Sequence, residues 1–155
     1  MRNIFMTTMV FFLGGAIVAN AAESLAGSIK TVQGNCSVRR GTETIAATAG
    51  FHLLEGDVLT TGSGGHVGVI MHDGTRLSLG PNTELSIDKF VYNPSDGKFA
   101  LLLKLGRGML AYVSGKIASF SPEAVKVQTP VGLIGLRGTK FVVGLDLPGG
   151  SLCCR

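Results

Sequence analysis

His66-Val67-Gly68-Val69-Ile70-Met71-His72-Asp73-Gly74-Thr75-Arg76-Leu77-Ser78-Leu79 is the stretch on which the reading of the fold turns. Val67, Val69 and Met71 alternate with His66, Gly68 and Ile70, and Leu77 and Leu79 alternate with Arg76 and Ser78. A period of two sends one set of side chains to a buried face and the other to solvent, which is a β-strand pattern. Asp73-Gly74 sits between the two runs, and this dipeptide favours the tight turn of a hairpin.

The same alternation extends in both directions. Gly80-Pro81-Asn82 breaks it, after which Leu85, Ile87 and Val91 alternate with Glu84, Ser86 and Asp88. A polar loop over 93–98 follows, then Phe99, Leu101, Leu103 and Leu105, with Ala100 and Leu102 making this strand apolar on both faces and therefore central or covered. Gly106-Arg107-Gly108 reads as a turn, followed by Met109, Ala111 and Val113 as the next alternating set. Val125 and Val127, and later Phe141, Val143 and Leu145, complete the series, while 29–33, 37–40 and 58–60 supply shorter pieces on the N-terminal side. Turn signals recur about every 8–12 residues, the spacing of an all-β sandwich, barrel or roll. No window carries a helical period with caps.

Composition agrees. The chain has 155 residues with 23 glycines, no tryptophan, 15% charged residues and a net charge of +4. So low a charge content excludes a solvated disordered chain. So much glycine disfavours a helical bundle, since each interior glycine costs a helix about 1 kcal/mol against alanine.

The N-terminus reads as an export signal. Arg2 precedes an apolar run over 4–18, and Ala19-Asn20-Ala21 fits the small-x-small pattern of a cleavage site after Ala21 or Ala22. The run is shorter than the roughly 20 residues of a spanning helix. Segment 1–21 is thus expected to be a signal peptide, 25–145 one all-β domain, and 146–155 a flexible Gly/Cys tail. The protein is then periplasmic or secreted, with no integral span after cleavage.

Chemistry-bearing constellations are sparse. There is no Gly-x-Ser-x-Gly elbow, and the glycine-rich 61–68 lacks the lysine and helix of a phosphate loop. His66 and His72 share strand parity but stand roughly 20 Å apart at strand rise, too far for one metal ion. Glu55 with Asp57, and Glu84 with Asp88, read as turn or solvent-face acids. No catalytic, cofactor-binding or metal-ligating set is expected, and no cofactor. Basic residues are scattered, with Arg39-Arg40 the single adjacent pair, so the positive charge suits an anionic envelope polymer better than nucleic acid.

Gly56-Asp57, Thr61-Gly62, Asp73-Gly74, Pro81, Leu105-Gly106, Thr129-Pro130 and Arg137-Gly138-Thr139-Lys140-Phe141 follow one another in an order and at separations that resemble the FecR domain, over about 27–145. The resemblance implies a β-roll or solenoid-like domain, with a β-sandwich or jelly roll as the alternative. It also implies protein or ligand recognition in the bacterial envelope, related to signalling. The family's namesake regulator relays a signal to a cytoplasmic σ factor; this chain has no N-terminal domain for that relay. The marked residues read first as structural: Gly56, Gly62, Gly74 and Gly138 at turns, Asp57 accepting backbone N–H groups, and Thr129 extended before Pro130. Arg137 is expected to tie down turn carbonyls or a buried carboxylate such as Asp57, or else to meet a partner.

Three cysteines, Cys36, Cys153 and Cys154, leave the pairing open. Cys36 can bridge to Cys153 or Cys154, the vicinal pair can close on itself, a disulfide can join two chains, or the thiols stay free. The expected function is a non-catalytic exported recognition module for an envelope protein, binding by a face or a strand edge. The alternative is a basic-surface domain for a carbohydrate or anionic polymer.

Overall fold

The computed structural model describes residues 24–136, 140–146 and 151–154, with 146 and 151–154 described by their backbone. The signal segment 1–21 and Arg137, Gly138 and Thr139 lie outside the described residues. Thirteen strands form one curled sheet: β1 (Leu25–Gln33), β2 (Cys36–Arg40), β3 (Glu43–Ala46), β4 (His52–Leu54), β5 (Val58–Thr61), β6 (His66–Met71), β7 (Arg76–Leu79), β8 (Glu84–Asn93), β9 (Lys98–Val113), β10 (Val125–Thr129), β11 (Gly132–Gly135), β12 (Lys140–Asp146) and β13 (Ser151–Cys154). The described residues are all-β apart from one short helix, α1 (Lys116–Phe120), and a 3-10 turn at Pro122–Ala124. The spatial order is β3-β2-β5-β8-β9-β7-β6-β1-β4, with β10 and β11 added beside the first part of β9 and β12 and β13 beside its second part. Among the described residues every pairing is antiparallel except β9 with β10.

The β6–β7 hairpin pairs Val67 with Leu79 and Val69 with Leu77, all four buried, as the alternation requires. Gly74 closes it at φ +85°, a conformation glycine adopts without steric cost.

β9 is the spine of the molecule, and it corrects the turn expected at Gly106-Arg107-Gly108. The strand runs through these residues without reversing. Its partner β8 pairs Glu84 with Arg107 and Leu85 with Leu105, so Gly106 is an extra residue in the ladder, a β-bulge. One extra residue exchanges the faces of everything beyond it. Before the bulge Leu101, Leu103 and Leu105 are buried; after it the buried residues are Leu110 and Tyr112, and Met109 is 51% exposed. The expected inward set of Met109, Ala111 and Val113 is therefore displaced by one position. The bend sends Lys98–Arg107 along β8 and β10, and Met109–Val113 along β7 and β12. Gly108, at φ +86°, has no room for a side chain: a Cβ there would stand 2.4 Å from Thr83 Cα.

α1 is the helix that the sequence pattern does not announce. It has five residues and no side-chain cap of its own. Its first N–H groups are taken by Asp73, whose carbonyl accepts from Lys116 at 2.9 Å and whose carboxylate accepts from Ile117 at 3.3 Å. The 146–155 tail also departs from expectation. Its residues Ser151–Cys154 form a strand paired with β12, with Leu145 opposite Leu152. Such a strand satisfies the backbone groups of the β12 edge and needs no hydrophobic alternation to form.

Candidate partner-binding surface

Three residues of the family-like pattern, Asp57, Asp73 and Thr61, each sit in a buried polar cluster. In the first, Asp57 is completely buried and sits after Gly56, which is at φ +91°. Arg40 of β2 donates to both of its oxygens, Nε to Oδ1 at 2.8 Å and Nη2 to Oδ2 at 2.7 Å, and the Leu54 N–H adds a third bond at 2.9 Å. The same guanidinium donates to the His52 carbonyl at 2.9 Å and lies 5.4 Å from the centre of the Phe51 ring. Among the described residues the partner of Asp57 is thus Arg40; Arg137, which the sequence also offered, lies outside them. A two-pronged guanidinium–carboxylate contact is the geometry that compensates a buried charge.

The second cluster surrounds Asp73 and Thr75. Asp73 accepts from the Thr75 N–H at 3.1 Å and from the Thr75 hydroxyl at 2.8 Å, besides holding α1. Thr75 Oγ1 in turn accepts from the Gly115 N–H at 3.1 Å. Tyr112 is buried alongside; its hydroxyl makes no well-formed hydrogen bond, and Thr75 is its polar neighbour. Burial pushes the phenol up to about 12, the Thr75 hydroxyl opposing and the Asp73 charge reinforcing the shift. In the third cluster, Thr61 Oγ1 donates to the Gly80 carbonyl at 2.7 Å and accepts from the Thr83 N–H at 2.9 Å. Thr83 Oγ1 accepts from the Met109 N–H at 2.9 Å, which clips the turn of Gly80, Pro81 and Asn82 onto the bend of β9. Gly62 donates to the Asn35 carbonyl at 2.8 Å.

The remaining marked residues are also structural in placement. Thr129 is buried and its hydroxyl donates to the Gly132 carbonyl at 2.9 Å across the Pro130-Val131 hairpin tip. Phe141 is half-buried with its ring 5.0 Å from that of Tyr112. Among the described residues Cys36 is a free thiol whose Sγ lies 3.3 Å from the Gln33 carbonyl, and burial raises its pKa against an opposing hydrogen bond with the His66 backbone. Cys153 and Cys154 lie on β13 opposite Gly144 and Val143, and their side chains are outside the described residues.

A row of rings is built by residues outside that pattern. Four rings form a row: His72 edge-on to Tyr92 at 6.2 Å, Tyr92 to Phe99 at 6.1 Å, and Phe99 stacked on Phe120 at 5.4 Å with planes 11° apart. Each comes from a different element. His72 follows β6, Tyr92 and Phe99 face each other across β8 and β9, and Phe120 ends α1. Phe120 is 62% exposed. At the His72 end the row opens into a cleft of about 290 Å³ lined by Ser24, Leu25, Glu55, His72, Phe90 and Tyr92. Glu55 holds the wall by accepting the Phe90 N–H at 2.9 Å. This is an aromatic ledge beside a shallow recess, with carboxylate, imidazole and phenol groups at its rim. Such a surface buries apolar side chains and orients them with polar ones. The Tyr92–Phe99 part was legible as the closing pair of a hairpin through 93–98. The ends of the row were not, because His72 and Phe120 are brought there by the Asp73 tie to α1.

Among the described residues, no group of three or more His, Cys, Asp and Glu side chains converges as a metal site, and no helix is long and apolar enough to cross a membrane. No curated protein and no solved structure matches the chain. Residues 57–151, more than half of the sequence, match the family described as FecR protein, and with its aspartates and threonines serving as the buried joints of an all-β domain, the chain belongs to the FecR protein family.

Proposed function

We propose that this protein is an exported, non-catalytic recognition module of the bacterial envelope, periplasmic or secreted, that binds another protein through the His72–Tyr92–Phe99–Phe120 ledge. The observation that carries the reading is Phe120, 62% exposed and stacked on the half-buried Phe99 at one end of a row of four rings whose other end is the exposed His72. Phenylalanine and tyrosine in water are an unused source of binding free energy, and aromatic clusters beside a recess are where protein interfaces concentrate their affinity. Strand pairing and the Asp73 tie preorganise the rings, so little ordering cost falls on binding. Membership of the FecR family supports a role in envelope signalling or assembly.

The test is site-specific photo-crosslinking in intact cells. A photoreactive phenylalanine analogue at position 120 should give a discrete protein adduct, and the same analogue at Thr44, on the distant β3 edge, should give none. Equal labelling from both positions would refute the ledge as the binding surface. N-terminal analysis of the exported protein tests the localisation: a mature chain starting at Ala22 or Glu23 is expected, and an intact Met1 would contradict it.

A further inference from the structure

We infer a second, independent binding face for a linear anionic glycan on the outer side of the β3-β2-β5-β8-β9-β10-β11 half of the sheet. The register sets its residues in rows. Arg39, Val58, Ser86, Lys104, Gln128 and Leu133 lie side by side on consecutive strands. One step along, Lys89 and Lys126 flank Leu102 on its two neighbouring strands. Their inward neighbours Val38, Leu59, Leu85, Leu103 and Val127 are buried, so these rows point away from the core.

Strand spacing puts the Lys89 and Lys126 Cα atoms roughly 10 Å apart, with Lys104 about 8 Å from each. Three ammonium groups therefore surround the half-buried Leu102, and Arg39 on β2 extends the charge two strands beyond Lys89. Among the described residues the ion pairs are Arg40 with Asp57 and Arg107 with Glu84; Arg39, Lys89, Lys104 and Lys126 belong to neither. Asp88 is the acid at the bulge of this face, and it is engaged by the Ser86 hydroxyl.

The concentration of like charge selects a polyanion. The kind of polyanion follows from the shape and from what else the face carries. Adjacent strands rotate by about 20–25°, so seven strands form a saddle that a flexible chain can follow and a planar bilayer cannot. The face carries no aromatic ring on which a nucleic-acid base would stack, while Leu102, Val58 and Leu133 offer apolar patches to the C–H faces of sugar rings. An anionic glycan meets both conditions. The aromatic ledge is not part of this face, so the two inferences stand or fall separately.

The test measures binding of the purified protein to heparin as a sulfated glycan probe, beside neutral dextran, phosphatidylglycerol vesicles and single-stranded DNA, over a salt series. Heparin should bind in preference to the other three, with a log–log salt slope of about −2, the value for roughly three ionic contacts. Lys89→Gln/Lys104→Gln/Lys126→Gln should weaken heparin binding about tenfold or more. Lys30→Gln/Arg76→Gln/Lys140→Gln removes the same charge from β1, β7 and β12 and should change it less than about threefold. Equal losses in the two triple variants would reduce the effect to net charge and overturn the site. Tighter capture by the vesicles or by DNA would overturn the glycan assignment. Circular dichroism and melting of both variants check that each is folded; the substituted side chains are exposed, so both should melt like the parent.

Discussion

Asp57 and Phe120 mark opposite ends of how this domain uses its side chains. Asp57 is buried without remainder and accepts three hydrogen bonds, two of them from one guanidinium. Phe120 leaves most of its surface in water and is held by a single stacked ring. The first belongs to the family-like pattern and the second does not. The difference teaches where information about function lies in this chain. The pattern records the joints that let many short strands close into one sheet, and the surface hung on those joints is written in residues that the pattern does not include. The family match itself begins at Asp57, yet the Arg40 that neutralises it lies upstream, on a strand that the match does not cover. The first four strands are therefore integral to the domain.

If the joints carry stability and the ledge carries binding, substitutions should separate the two. The largest effect is expected for Gly108→Ala. Positive-φ strain and a contact of 2.4 Å to the Thr83 backbone together should cost about 4 kcal/mol, measured by urea unfolding; a loss under about 1 kcal/mol would show that the bend is soft. Arg40→Ala strands a buried carboxylate and should cost about 3 kcal/mol, at the low end for such pairs because a third of the Arg40 side chain is exposed. Restoration by Asp57→Asn in the Arg40→Ala background would confirm that charge, rather than packing, is responsible.

Tyr112→Phe removes a buried hydroxyl that makes no well-formed hydrogen bond, and at neutral pH should change stability by less than about 1 kcal/mol. Its signature is alkaline. The folded phenol titrates at about 12 against 10.0 for the unfolded group, so the folded state holds the proton more tightly. Its contribution is complete below pH 10 and is lost as pH rises towards 12. The parent should destabilise across that window and Tyr112→Phe should not; identical curves would mean that other groups set the alkaline limit. The smallest effect on stability is expected for Phe120→Ala, within about 0.5 kcal/mol as for other surface substitutions.

Much of the scaffold was legible before any coordinates. The β6–β7 hairpin, the alternation of β8 and the turn glycines Gly56 and Gly74 follow from local chemistry, with signal and consequence a few residues apart. What escaped depends on distance. The bulge at Gly106 looks like a turn locally, and becomes a bend only because β8 holds both sides of it in one ladder. α1 lacks a cap of its own and forms because Asp73, over forty residues earlier, supplies one. The ledge inherits that dependence: Phe120 reaches Phe99 through the helix that Asp73 anchors. Asp57 announced itself as a turn acid, but Arg40 as its partner follows only from the pairing of β2 with β5.

The central claim is that recognition resides on the ledge and stability in the buried joints. The most direct test is photo-crosslinking from position 120 in cells, repeated with Tyr92→Ala, alongside thermal melting of the same proteins. The account predicts a discrete adduct at position 120, its loss in the Tyr92→Ala protein, and melting temperatures within a few degrees of the parent. An adduct that persists unchanged without the Tyr92 ring, in a protein that melts like the parent, would contradict it.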